Sequence, residues 1–206
     1  MLYHVFNKSI AGFNIFNSDK EYRRMTDSLP FYQSGKRCMS FSRFIRDRQI
    51  RQMEAIRKKD RIVDIVAYCI MPTHVHFMLK EYVQGGITDF TRNVLNSYSH
   101  YFNLKHKRKG PLWESRSKKV LMKTDGQLIH VTRYIHLNPV TAYLANKPED
   151  WPYSSYGEYI ARSGAPGNVC VYEDLIDMKP HAYAEFVNER ISYQRELVKI
   201  KHLLLE

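Results

Sequence analysis

The run from Arg61 to Met71 constrains the fold more than any other part of this chain. It is rich in Ile and Val, bounded by Asp60 and Pro72, and reads as a strand. Only Pro72 and Thr73 separate it from His74–Glu81, so the second run must return as an antiparallel neighbour across a tight turn. Gly85 and Gly86 end that hairpin. A hairpin this apolar needs helices or further strands against it to keep its side chains from water.

The rest of the chain supplies them. Tyr3 to Lys8 sets His4 and Phe6 against Val5 and Asn7 and reads as an opening strand, closed by a turn at Ala11-Gly12. Asp19 is placed to cap a helix, and the basic segment that follows reads as helical to about Lys59, with a break from Pro30 to Gly35. Phe90, Val94, Leu95, Tyr98 and Phe102 recur at helical spacing within Thr88–Lys105. A basic loop follows, then a short strand from Ser117 to Met122 and a helix from Asp125 that is expected to stop at Pro139. The aromatic, Pro-containing stretch Trp151–Tyr159 is expected to pack back on the domain. The order strand, helix, strand, strand, helix, strand, helix predicts an α+β fold, with helices on one face of an antiparallel sheet. The functional domain is expected to span residues 1–162. Residues 163–206 form a linker at Ser163–Gly167 and a helical extension over Tyr183–Leu205.

At 206 residues the chain can bury a full-sized core. It has no apolar run long enough for a membrane helix and no basic flank or long apolar run of a secretory signal, which makes the cytoplasm the expected setting. Cys38, Cys69 and Cys170 are few and unpatterned, as suits reduced thiols. The formal net charge of +11 implies a polyanionic partner or a generally basic surface. Its distribution favours the first, since eight Lys or Arg fall between Phe102 and Lys123 against the single acid Glu114.

His74 and His76 straddle one residue at the start of a strand, so their side chains share a face, with Cα atoms roughly 6 to 7 Å apart. Two imidazoles so placed can hold one metal ion. Cys69 lies close enough in sequence for a zinc site to be weighed, but it falls inside an apolar strand with no fourth soft ligand in view. Downstream, Tyr134 and Asn138 are four apart on the Asp125 helix and project from one side of it, joining a phenol to an oxygen donor. Leu128, Val131 and Ile135 form that helix's apolar stripe, and Tyr134 lies off its edge. His130 is an alternative third ligand; Tyr98 and Tyr101 are rival nucleophiles, with Tyr98 on the buried side of its own helix.

Four stretches together resemble the single-tyrosine HUH transposases of bacterial insertion sequences and their REP-associated relatives. They are Tyr3-His4-Val5-Phe6-Asn7, Met71-Pro72-Thr73-His74-Val75-His76, Gly110-Pro111-Leu112-Trp113-Glu114-Ser115-Arg116, and Tyr134-Ile135-His136-Leu137-Asn138-Pro139-Val140 followed by Trp151-Pro152-Tyr153-Ser154-Ser155. The resemblance covers roughly residues 1 to 160. It implies a ferredoxin-like sheet with the histidine pair on a central strand and the tyrosine on a facing helix. It implies Tyr134 as nucleophile and His74, His76 and Asn138 as ligands of Mg²⁺ or Mn²⁺. DNA, single-stranded or in hairpins, would be the partner, and monomer and helix-exchanged dimer both remain open. Asn7 and Lys8 would lie next to the active site, although Lys8-Ser9-Ile10-Ala11 stands where relatives often carry an Arg-Gly pair.

The basic cluster Lys105, Lys107, Arg108 and Lys109 reads either as a solvated loop or, with Arg116 and Lys118, as a groove that tracks phosphates. Trp113 would either stack on an unpaired base or plug the core. The combined expectation is a metal-dependent enzyme that nicks and rejoins single-stranded DNA through a 5′-phosphotyrosine. Two other readings stand beside it: a catalytically silent DNA-binding protein on the same fold, and a metal hydrolase with another substrate.

Overall fold

A computed structural model describes residues 1–35, 39–46, 60–161 and 169–203. Four antiparallel strands, β1 (Leu2–Lys8), β2 (Val63–Met71), β3 (His74–Glu81) and β4 (Lys118–Leu121), lie in the order β2-β3-β1-β4. This is the ferredoxin-like arrangement, with two split β-α-β units interleaved. Helices α1 (Asp19–Thr26), α2 (Ser28–Tyr32) and α3 (Phe41–Arg46) link β1 to β2, and α4 (Gly86–Lys105) links β3 to β4. Beyond β4 come α5 (Asp125–Thr141), the short α6 (Tyr156–Tyr159), α7 (Pro180–Asn188) and α8 (Ile191–Leu203).

The hairpin forms as its sequence requires: Met71 pairs with His74, leaving Pro72 and Thr73 as the turn. Where β3 ends, Gly85 takes a left-handed φ of +81°, and a Cβ on Gly86 would lie 2.6 Å from the Ile62 carbonyl oxygen. Both positions therefore need glycine.

Helices cover both faces of the sheet rather than one. Val5, Val75, Phe77, Leu79, Tyr68 and Ile70 pack with α1–α4 on the first face. Cys69, Met71 and Met78 pack with Leu128 and Ile135 of α5 and with Tyr183 and Val187 of α7 on the second. Strand β2 is buried along its whole length and carries a bulge between Ile65 and Ala67, so Val66 and Ala67 both turn to the second face. The bulge resets the alternation for the rest of the strand.

Although β2 is an edge strand, its outer backbone is satisfied by the chain's later segments. Ile70 N–H donates to Tyr153 O (2.9 Å), Ser155 N–H to Tyr68 O (3.0 Å) and Val171 N–H to Ile65 O (2.9 Å). The Trp151–Tyr159 stretch thus packs back as expected, with Tyr153 stacked on Tyr22 at 3.9 Å. Residues past the linker also enter the core, since Cys170, Ile176, Tyr183 and Val187 are buried. The expected boundary near residue 162, the Ser163–Gly167 linker, Cys38 and the helical reading of 47–59 all lie outside the described residues.

Element ends differ in detail. Ser18, not Asp19, precedes α1 as its cap residue. The expected terminal helix divides at Glu189–Arg190 into α7, which buries Tyr183 and Val187, and α8, whose Arg195 Nε donates to Val140 O (3.2 Å) on α5. Helix α5 runs through Pro139 to Thr141. Proline here deletes one donor, the one owed to Ile135 O, and Asn138 Nδ2 reaches that carbonyl (3.4 Å) and Tyr134 O (2.9 Å) instead.

A buried polar chain fixes α5 over the sheet. His136, fully buried, contacts Tyr183 Oη through Nδ1 (2.7 Å) and Ser155 Oγ through Nε2 (2.8 Å). Ser155 Oγ donates to Tyr68 O (3.2 Å) and accepts from Tyr68 N–H (2.9 Å). One assignment satisfies every group: Tyr183 donates to Nδ1, and Nε2–H donates to Ser155. Burial pushes the His136 imidazole down to about 3. Between that value and the unfolded pKa of about 6.5 the unfolded chain binds the extra proton, so stability rises with pH across this window and is lost on acidification. Urea denaturation from pH 7.5 to 5 should show stability falling, with up to roughly 1.4 kcal/mol per pH unit from each such histidine. His136→Gln should flatten the slope by about one proton, and an unchanged slope would contradict the assignment.

Candidate functional site

The pairing of β1 with β3 assembles the site. Phe6 lies opposite His76 and Lys8 opposite His74, so His4, Phe6 and Lys8 share the second face of the sheet with both histidines. His4 Nε2 and His76 Nδ1 are 3.0 Å apart, and the two rings stack at 5.2 Å between centroids. His74 Nδ1 is 2.9 Å from Thr73 Oγ1, and its ring stands edge-on to that of His76 at 5.0 Å. Each histidine of the pair thus has Nδ1 held by a neighbour, and among the described residues neither Nε2 makes a hydrogen bond. This is the pattern of a metal-binding imidazole, one nitrogen fixed and the other presented.

Helix α5 lays Tyr134 across these rings. Thr124 caps it by accepting from Gln127 N–H (3.1 Å), and Gln127 Oε1 accepts from Lys123 N–H (2.8 Å), which sets where the helix starts and hence its phase. The Tyr134 ring centroid lies 5.7 Å from that of His76 and 6.1 Å from that of His4, edge-on to both. Tyr134 as a residue is 40% exposed. The phenol and the imidazole pair meet within one chain. They line a cleft of about 600 Å³ with Lys8, Thr73 and Glu114.

Burial dominates the electrostatics. His4 and His74 are each pushed down to about 4, with Lys8 adding to the effect on His74. His76 lies well below the ordinary histidine value, through burial first and then the neighbouring His74, His4 and Lys8. All three are neutral at pH 7, the form that donates a lone pair to a metal. Burial raises the Tyr134 phenol, the Cys69 thiol raises it further, and the Asn138 amide opposes both by hydrogen bonding. The phenol therefore needs a nearby cation or proton acceptor to react at neutral pH.

The other sequence-predicted residues divide. Asn138 is half-buried behind Tyr134 with its Nδ2 committed to helix carbonyls, and it does not line the cleft. His130 turns the other way, its Nδ1 2.9 Å from Arg133 and its ring 5.9 Å from Phe186. Tyr98 is core, donating to Ile15 O. Cys69 is buried against Met71 Sδ at 3.7 Å. Among the described residues no group of three or more His, Cys, Asp or Glu is arranged to hold a metal by itself. Lys8 borders the cleft, whereas Asn7, the next residue on the strand, faces the opposite side and donates to Ser115 O (3.0 Å). Lys105 pairs with the buried Glu21 carboxylate (2.7 Å), and Arg108 folds onto Asn103 Oδ1 (3.1 Å) and Pro111 O (2.7 Å). Lys107, Lys109, Arg116 and Lys118 are exposed. Trp113 is half-buried, its Nε1 donating to Leu95 O (3.2 Å).

Residues missed by the sequence reading are His4 and Glu114. His4 was legible in principle, because it alternates with Phe6 on the opening strand. Its place beside His76, 72 positions later, depends on a register that no local pattern reports. Glu114 reaches the cleft because its N–H donates to Lys8 O (2.9 Å) in the segment that extends β1's pairing.

Residues 36–138 match the family described as "Transposase IS200 like". The chain belongs to this IS200-like transposase family. The matched span runs through both paired histidines and Tyr134 and ends at Asn138. Among curated relatives, this family member is 27% identical over 112 residues to the REP-associated tyrosine transposase of Escherichia coli (strain K12), covering 53% of the chain and 64% of the relative. It is 28% identical over 106 residues to a putative REP-associated tyrosine transposase of Haemophilus influenzae (strain ATCC 51907 / DSM 11121 / KW20 / Rd), covering 45% of the chain and 58% of the relative. The match thus spans less than two thirds of either relative. A solved REP-associated tyrosine transposase bound to a REP hairpin shares the fold, with a TM-score of 0.55 and 17% identity over 82% of this chain and 84% of that one. No helix among the described residues is long and apolar enough to cross a membrane.

Asn138→Ala tests the geometry directly. Removing the amide uncovers the Tyr134 and Ile135 carbonyls and should cost about 1 kcal/mol in chemical denaturation. A neutral result would show that water covers them equally well. In long-range ¹H–¹⁵N spectra the His4 and His74 rings should remain neutral down to about pH 5, since both titrate near 4; midpoints near 6.5 would contradict the buried arrangement.

Proposed function

We propose that this family member is a DNA transposase that cuts and rejoins single-stranded DNA, acting in the cytoplasm on hairpin-bearing strands. The observation that carries this reading is Tyr134, partly exposed and with its ring centroid within 6 Å of that of His76, in one cleft with His74, His76 and Lys8. The hairpin bound to the structural relative supports DNA as the partner.

Tyr134 Oη attacks the scissile phosphorus. The phosphorus–oxygen bond to the 3′ carbon's oxygen breaks, the phenol proton passes to solvent and solvent protonates the departing 3′ oxygen, and the products are a 5′-phosphotyrosine and a free 3′ hydroxyl. A phosphotyrosine retains the energy of the phosphodiester, so a second 3′ hydroxyl can displace the tyrosine and join strands. The neutral His74 and His76 are suited to hold a divalent metal, Mn²⁺ or Mg²⁺, with the Asn138 amide oxygen, the substrate or water completing the set. Bound there, it would supply Lewis-acid polarisation of a phosphate oxygen. His4 holds His76 by its Nδ1 and Thr73 holds His74, which keeps both rings oriented. Lys8, Arg116 and Lys118, with Lys107 and Lys109 on the basic loop, attract and track the phosphates; Lys105 and Arg108 are tied to the protein and contribute charge alone.

Incubation with hairpin-bearing oligonucleotides and Mn²⁺ should give a denaturant-resistant protein–DNA adduct. Tyr134→Phe should lower its yield at least 1,000-fold while leaving DNA binding within a few-fold; an undiminished adduct would remove Tyr134 from the role. Chelator-insensitive binding with no adduct on any hairpin would favour the silent DNA-binding alternative. Five or six phosphate contacts predict that log affinity falls with log salt at a slope of roughly four.

A further inference from the structure

A second and larger concavity, about 860 Å³, lies on the first face of the sheet, away from Tyr134. Helix α4 forms one wall and the segment from Gly110 to Lys119 the other. Its apolar floor is Leu95 and Trp113, joined by the Trp113 indole bond to the Leu95 carbonyl (3.2 Å). Helix α4 also contributes the polar Asn96 and Ser99 to the lining. Its charged lining is wholly cationic, Arg92, Arg116 and Lys119, with no carboxylate among the lining residues. Lys119 Nζ bonds Thr88 Oγ1 (3.1 Å) and Arg92 pairs with Asp89 on the exposed rim (2.7 Å).

The two clefts abut across one strip of backbone. Lys8 borders the Tyr134 cleft while Asn7 borders the other, and Glu114 and Ser115 divide in the same way. The strip is held together by Glu114 N–H to Lys8 O (2.9 Å) and by Asn7 Nδ2 to Ser115 O (3.0 Å). A DNA strand leaving Tyr134 has only this strip to cross before it meets a walled slot with an aromatic floor, amide and hydroxyl groups, and cations. A slot of that kind takes a splayed-out base with its phosphate; a base still paired within a duplex could not enter it.

We propose that this cleft binds one unpaired nucleotide of the strand being cut. The base would lie over Trp113 and Leu95 within reach of Asn96 and Ser99, and its phosphate would meet Arg116 and Lys119. The cleft would thus fix which phosphate reaches Tyr134 from the opposite side of the sheet. The inference rests on the single-stranded DNA reading given above.

The test uses the full chain and a single-stranded oligonucleotide selected on it from a random library, scanned with one abasic site at a time. In the wild type, one position should lose at least 10-fold in affinity when its base is removed, and neighbouring positions less than 3-fold. Asn96→Trp, which fills the slot from an exposed helix position, should weaken the intact oligonucleotide at least 10-fold. The abasic substitution should then cost less than 2-fold more. Arg116→Ala, at an exposed site, should weaken binding while preserving the abasic pattern. A flat abasic profile, or the same profile in Asn96→Trp as in the wild type, overturns the proposal. A Tyr134 adduct formed with a flat profile leaves the catalytic reading standing and this one fallen. A sharp, slot-dependent profile without an adduct does the reverse.

Discussion

The pairing of β1 with β3 decides what this molecule can do. It joins residues about seventy positions apart and sets Phe6 opposite His76. That register places His4 against His76 and Lys8 beside His74, and it turns Asn7 to the other side. A slip by one residue would exchange the two faces of β1, sending His4 and Lys8 into the apolar layer under α4 and Val5 into the cleft. Burial of Val5 against Phe77 and the helices of the first face is what opposes such a slip. The hydrophobic core and the polar site are thus specified by the same alternation.

The second requirement is the position of α5. Its buried side meets the sheet through Leu128 and Ile135, and His136 adds a directional link to Ser155, Tyr68 and Tyr183. Apolar contacts alone permit a helix to slide or rotate at small cost. A fully satisfied buried hydrogen-bond chain does not, because any displacement leaves polar groups without partners. Tyr134 and His136 are two residues apart on one helix, so locking His136 inward leaves Tyr134 at the rim above His76. Asn138 belongs to the same arrangement, since it covers the carbonyl that Pro139 cannot.

Much of the fold was legible in the chain. The Ile- and Val-rich run, the two-residue turn and the glycine pair give the hairpin almost to the residue, and the helical spacing from Phe90 to Phe102 gives α4. The two-sided covering of the sheet was harder to read. From Ile65 to Met71 strand β2 carries no charged residue on either face, so its sequence does not reveal a bulge at Val66 or a second helical layer. The end of α5 was misplaced because the proline rule counts the lost donor but not the Asn138 side chain that replaces it. At the site, His74, His76 and Tyr134 follow from local spacing and resemblance. His4 and Glu114 come from long-range pairing, and the separation of Asn7 from Lys8 follows from strand alternation once β1 is in register.

Everything at the site rests on one placement, the Tyr134 phenol over the face that carries His74 and His76. Paramagnetic broadening by Mn²⁺ decides whether it holds in solution, using protein with ¹³C-labelled tyrosine and histidine rings and Tyr134→Phe and His74→Ala to assign the signals. Substoichiometric Mn²⁺ should broaden the Tyr134 ring while sparing that of Tyr98, and His76→Ala should abolish the effect. Broadening of the His74 ring with Tyr134 left sharp would contradict the claim.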